Sequence, residues 1–246
     1  MAKVLKYLVT CGCSWTEGYG TSDYHVSDDG IAKSNNRLST LLSNHLKIQD
    51  INLSEGGGSN QMIFRKIINW INDNEDKVNE TLFLIGWTES SRFEFLHPGQ
   101  ISKRPERDWE KIDIMSVMVE NKPETWTNEE FKHWEFYFKN LFTQREYVEK
   151  TNQYIFSLQN IFENKNIDYL MFNSIGKLKE MTESYFPNQL KIYDKLVDIS
   201  WEDFCGGHYI DLELNDKDIS FYAKDDGHPN DKGNKRWFEY ILKEIK

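Results

Sequence analysis

A chain of 246 residues with 39% hydrophobic content, including eight Trp, twelve Tyr and fifteen Phe, carries enough apolar surface to pack one domain, which excludes global disorder. Its formal charge of -10 argues against a broad electrostatic grip on nucleic-acid phosphates or anionic lipid. The apolar run before Cys11 is too short for a secretion signal, and no stretch reaches the roughly 18 to 20 apolar residues of a membrane span, so a soluble, cytoplasmic protein is expected.

Leu5 to Thr10 is a β-favouring apolar run that stops at the turn Cys11-Gly12-Cys13-Ser14, as a buried strand feeding a loop does. After a polar stretch from Thr16 to Asn36, Leu38, Leu41, Leu42 and Leu46 recur at helical spacing, and Ile48 to Leu53 reads as a second strand. Glu55-Gly56-Gly57-Gly58-Ser59-Asn60 is a loop by composition. Met62, Ile63, Ile67, Trp70 and Ile71 then mark one face of a helix, with Ser59 or Asn60 as its N-cap, and Thr81 to Gly86 forms a third strand.

From Ser91 onward the chain turns aromatic, charged and Pro-punctuated, and from Glu129 to Asn164 it fits one or two long helices. The span 91–164 is predicted as an insertion or lid. Ile167 to Phe172 makes a fourth strand, and Trp237, Ile241 and Ile245, at steps of four, predict an amphipathic last helix. This alternation predicts an α/β fold over residues 1–246 as one domain: a three-layer α/β/α sandwich with a mostly parallel central sheet.

Two short segments carry candidate chemistry. Ser14 directly follows the first strand, where open α/β sheets place ligand groups at the carboxyl ends of their strands, so its hydroxyl is a candidate nucleophile; the alternative is a helix cap. In Asp225-Asp226-Gly227-His228-Pro229, a carboxylate three residues before a histidine can fold back onto its Nδ1–H and leave Nε2 as a base; the alternative is a solvated Asp-Gly turn leading into a helix.

Taken together, a serine after strand one and an Asp-x-x-His before the last helix resemble the SGNH/GDSL hydrolases, whose first block reads Gly-Asp-Ser. Gly12-Cys13-Ser14 matches it except at Cys13. The resemblance runs from the first strand to the last helix and implies a flavodoxin-like sandwich with Ser14, Asp225 and His228 as the triad. In its small acidic character and variant blocks the chain is similar to SGNH-type proteins encoded by tailed bacteriophages.

The second block of the family supplies a glycine N–H to an oxyanion hole, and Gly57, with Gly58 next, stands at that place. The third block normally reads Gly-x-Asn-Asp, but this chain has Gly86-Trp87-Thr88-Glu89. The missing asparagine leaves Thr88 or Asn60 as the substitutes, and loss of one such donor costs about 2.7 to 4 kcal/mol of transition-state stabilisation. Arg92 follows closely and either holds an anionic group of a substrate or pairs with Glu89 or Glu94. The family's triad order also sets the chain apart from α/β-hydrolases, since Thr16 replaces the final glycine of Gly-x-Ser-x-Gly.

The resemblance implies a serine esterase or deacylase acting through an acyl-enzyme on a small-molecule or carbohydrate ester, with no cofactor and no metal. Two alternatives stand beside it: an acyltransferase to a sugar or other hydroxyl, and a binding or structural protein that keeps the fold with little turnover. Cys11, Cys13, Cys205 and His208 have the right chemistry for zinc but unsuitable spacing, and Cys13 is a rival nucleophile. His25, His45, His97 and His133 show no partner pattern.

Overall fold

The computed structural model describes residues 3–28, 30–96, 109–113, 127–208, 212, 215, 217–224 and 226–245. Four strands form the central sheet: β1 (Tyr7–Cys11), β4 (Gln49–Asn52), β5 (Thr81–Trp87) and β8 (Asp168–Asn173), in the order β4-β1-β5-β8. Every pairing among them is parallel, with Cys11 opposite Ile85 and Thr10 opposite Asn52 in register. Parallel neighbours need crossovers, and helices supply them. These are α2 (Leu38–Leu46) between β1 and β4, α3 (Asn60–Asp73) between β4 and β5, and a long α5 (Gln144–Lys165) between β5 and β8.

Side chains alternate across the sheet because successive Cβ atoms point to opposite faces. Val9, Phe83 and Ile85 pack with Met62, Ile63 and Ile67 of α3 and Ile155, Leu158 and Phe162 of α5. Leu8, Leu82 and Leu84 pack on the other face with Leu38 and Leu42 of α2 and with Trp237 and Ile241 of the last helix, Asp231–Glu244. The molecule is therefore the three-layer α/β/α sandwich expected, with the mostly parallel sheet in the middle.

The stretch read as an insertion divides physically. Its second half is α5, whose apolar face belongs to the main core. Its first half includes an antiparallel pair, β6 (Arg92–Leu96) with β7 (Trp109–Asp113), and the helix α4 (Asn128–Asn140). Phe93 of β6 and Phe138 of α4 join Tyr147 of α5 in a small aromatic cluster separate from the two main clusters. Residues 97–108 and 114–126, with His97 among them, lie outside the described residues. Upstream, the polar stretch after β1 contains a short antiparallel pair, β2 (His25–Val26) with β3 (Ala32–Lys33).

The cysteines are part of this packing. Cys11 lies in one core cluster, Cys13 and Cys205 in the other, and all three are buried free thiols. Burial pushes both Cys11 and Cys205 up to about 12, so each stays a protonated thiol at neutral pH. Cys13, in the place where the family carries Asp, packs against apolar neighbours and leaves the turn to Ser14.

Close approach fixes the turn after β1. A Cβ on Gly12 would sit 2.2 Å from Thr16 Oγ1 and 2.9 Å from the Gly86 carbonyl oxygen. A Cβ on Gly86 would meet Ser174 Oγ at 2.5 Å and Thr16 Oγ1 at 2.7 Å. Gly12→Ala is expected to cost about 1–3 kcal/mol through this overpacking, read as a lower urea midpoint at unchanged slope. In a thiol titration at pH 8, the native protein is expected to react far more slowly than the urea-unfolded chain, in which the three cysteines label readily.

Candidate active site

The chain crosses from β1 outward to β4 and then returns to pair β5 on the other side of β1, so the strand order reverses beside β1. Such a switch point leaves a crevice at the carboxyl ends of the strands, where no crossover covers them. Ser14 stands at its edge. It is the first residue of the short helix α1 (Ser14–Glu17), and Cys13 rather than Ser14 occupies the N-cap position. The capping alternative for Ser14 therefore does not apply, and its hydroxyl is directed to another partner.

That partner is His228, whose Nε2 lies 2.8 Å from Ser14 Oγ across 214 residues of sequence. Ser14 is buried to 8% exposure, and the histidine side chain keeps 25%, so the imidazole stays partly open to solvent. The Nδ1 atom of His228 contacts Asp226 Oδ1. A carboxylate only accepts, so Nδ1 carries the proton and Nε2 is left to accept the Ser14 hydroxyl. Asp225, the acid assigned by the family spacing, lies outside the described residues. Asp226, which the sequence reading did not single out, is the second of two adjacent carboxylates that precede the same Gly-His pair.

Several backbone contacts hold the histidine in place. The Ala223 N–H donates to the His228 carbonyl at 2.8 Å, and the Asn230 N–H donates to Phe221 O at 2.9 Å, closing residues 221–230 into a narrow loop. Asn230 caps the last helix by accepting from the Gly233 N–H and donates its amide to the Tyr222 carbonyl. Asn234, fully buried, donates to the Pro229 carbonyl and accepts the Leu38 N–H at 3.1 Å, tying this loop to the start of α2.

The glycine-rich loop after β4 reaches the same place. The Glu55 N–H donates to the Gly12 carbonyl at 3.2 Å, and the Gly58 N–H closes a turn on Glu55 O at 2.9 Å. Gly57 has φ 68, a conformation that favours glycine at the third position of such a turn. Gly56 is the glycine set against the serine: a Cβ added to it would be 4.0 Å from Ser14 Cβ. The Gly56–Gly57 peptide, whose N–H belongs to Gly57, thus follows directly from the residue beside Ser14.

The expected substitutes for the missing asparagine are engaged elsewhere. Asn60 Oδ1 accepts the Thr88 N–H at 2.8 Å, and Asn60 Nδ2 donates to the Thr88 carbonyl at 2.8 Å and to Thr151 Oγ1 at 3.2 Å. Asn60 therefore braces the exit of β5. Thr88 is fully buried, and its hydroxyl accepts from Arg92 Nη1 at 3.3 Å.

Arg92 pairs with Glu89, Nε to Oε2 at 3.8 Å, which is the structural alternative to anion binding. It lines a cavity of about 310 Å³ together with Asn60, Ser90, Glu94, Lys150 and Tyr154. Each charge on that wall has an opposite partner: Glu94 takes a two-pronged bond from Arg65 at 2.8 and 2.7 Å, and Lys150 pairs with Glu146 at 2.6 Å.

Among the described residues no group of three or more His, Cys, Asp or Glu side chains converges as a metal site. The candidate zinc ligands are also divided, because Cys11 and Cys13 enter different core clusters. No described helix is long and apolar enough to cross a membrane.

No protein-family model and no curated protein sequence matches the chain. Solved structures do. A G-D-S-L family lipolytic protein from Desulfitobacterium hafniense DCB-2 superposes with a TM-score of 0.50 at 12% identity, over 97% of this chain and 98% of that one. The psychrotrophic esterase EstA from a Pseudoalteromonas species gives 0.49 at 13% identity, over 98% and 96%. An acetyl xylan esterase from Geobacillus stearothermophilus gives 0.45 at 13%, over 99% and 97%. With strand order β4-β1-β5-β8, helices on both faces and a serine turn after β1, the chain has the fold of the SGNH/GDSL hydrolases.

Proposed function

We propose that the protein is a serine esterase or deacylase, and the observation that carries this reading is the 2.8 Å contact of His228 Nε2 with Ser14 Oγ, with Asp226 on the opposite ring nitrogen. In this mechanism Ser14 Oγ attacks the acyl carbonyl while His228 takes its proton. The carboxylate on Nδ1 holds the tautomer and stabilises the imidazolium that forms. His228 then returns the proton to the leaving alcohol, and water repeats the sequence on the acyl-enzyme. The family spacing assigns the acid to Asp225, and the described geometry favours Asp226.

The oxyanion is held by the backbone N–H of Ser14 and the N–H of Gly57. The substrate is a small-molecule or carbohydrate ester. A cytoplasmic location belongs to the same proposal. A low-turnover binding protein is the second reading, favoured by one observation: Asn60 and Thr88 are engaged with each other, so neither supplies the donor that the altered third block lacks.

Hydrolysis of p-nitrophenyl acetate and labelling by a fluorophosphonate probe separate the two readings. The wild-type protein is expected to turn over and label, and Ser14→Ala is expected to abolish labelling and lower kcat by about 10⁴-fold or more. Equal rates in the two proteins would overturn the nucleophile. For the acid, Asp226→Asn is expected to lower kcat by about 10²- to 10⁴-fold, since an amide at Nδ1 permits the wrong tautomer. Asp225→Asn is measured beside it, and a larger loss there moves the role to Asp225.

A further inference from the structure

We propose that the loop following α1, residues 18–24, orients the imidazole of His228, with Tyr19 as its positioning residue. This rests on the esterase reading. The two hydrogen-bonding contacts of His228, to Ser14 at Nε2 and Asp226 at Nδ1, lie toward opposite ends of the ring and together define an axis. Tilt of the ring about that axis is left open by both, and a contact to the ring itself closes it.

Tyr19 makes that contact. Its ring centroid is 4.7 Å from that of His228, at an interplanar angle of 62°, within the range of favourable edge-to-face pairs. Tyr19 is held in turn by Tyr24, at 5.0 Å and 64°. The Tyr24 side chain hydrogen-bonds Glu17, which belongs to the same helix as Ser14. The path from nucleophile to base is thereby closed a second time, through Glu17, Tyr24 and Tyr19.

The rest of the loop is clamped to the histidine's own backbone. A Cβ on Gly20 would lie 2.7 Å from His228 Cβ and 3.0 Å from the Pro229 carbonyl oxygen, so only glycine lets the two segments meet. Ser22 donates to the Asp231 carboxylate twice, from its N–H at 2.9 Å and its hydroxyl at 2.6 Å, at the first turn of the last helix. The loop is braced on its other side by Thr21 Oγ1, which lies within hydrogen-bond distance of Gly18 O at 2.7 Å and of Ser34 Oγ at 2.8 Å. Tyr19 itself is 43% exposed. Truncating it opens no core cavity, so an effect on turnover is separable from an effect on stability.

The test compares wild type, Tyr19→Ala, Tyr19→Phe and Ser22→Ala by kinetics on p-nitrophenyl acetate and by NMR of the His228 ring protons, assigned by their loss in His228→Gln. Tyr19→Ala is expected to lower kcat about tenfold with KM within about twofold, while Tyr19→Phe keeps the ring and restores the rate. The His228 ring protons are expected to shift in Tyr19→Ala, where the tyrosine ring current is lost, and to stay in place in Tyr19→Phe. Ser22→Ala is expected to lower kcat by a smaller factor in the same pattern. Unmoved ring protons in Tyr19→Ala, or moved protons with unchanged kcat, overturn the proposal. A wild-type protein without ester turnover counts against the esterase reading alone, and loss or retention in Tyr19→Ala of the nuclear Overhauser contact between the His228 ring and the Ser14 side chain then decides whether Tyr19 orients His228.

Discussion

The constraint on which the site depends is the close approach of the chain segments leaving β1 and β5. Gly12, Gly86 and Thr16 meet there with no room for another carbon atom. Because β1 and β5 are neighbours in register up to Cys11 and Ile85, the turn after β1 must pass directly over the end of β5. That crowding drives Ser14 outward into the crevice at the reversal of strand order, and it draws the glycine loop after β4 in beside the serine through the Glu55 to Gly12 bond. The end of β5 and the glycine loop are thus both packed against the turn that carries Ser14.

The histidine reaches the same point by a different route. Nothing in the sheet holds it, since it lies in a loop before the last helix. Its place is set by side-chain amides that satisfy backbone groups: Asn230 and Asn234 each bridge the loop to a helix start, and Asn234 links two helices. Buried amides of this kind resist displacement because each lost hydrogen bond leaves an unpaired polar group in the interior. A histidine carried on a loop can then hold a 2.8 Å contact to a serine at the start of α1.

Much of this was legible in the sequence, for physical reasons. The central strands β1 and β5 are buried on both faces, so they read as short continuous runs, and the helices between the strands carry apolar faces at helical spacing. Ser14 and His228 each sit at the junction of a regular element and a turn, where residue type is informative. The rest was hidden because it depends on contacts between distant segments. Asn60 carries both a donor and an acceptor, and only the fold reveals that Thr88 takes both. The division of the span after Ser91 into a peripheral part and the core helix α5 follows from which face α5 buries. The helical turns between Leu178 and Phe204 are too short to show a period.

The altered third block takes on a definite physical meaning once Thr88 is placed. An asparagine at position 88 would bring a second amide to the end of β5, next to one from Asn60 that already saturates the backbone there. This chain keeps the brace and gives up the donor. On the proposed esterase reading, stabilisation of a developing oxyanion falls to backbone N–H groups at the β1 turn and the glycine loop, where Gly12 and Gly58 are held by close contacts and Gly57 by a tight turn. Preorganised backbone donors need no reorganisation as charge develops, and on the proposed reading that is the physical basis for a site with two donors in place of three.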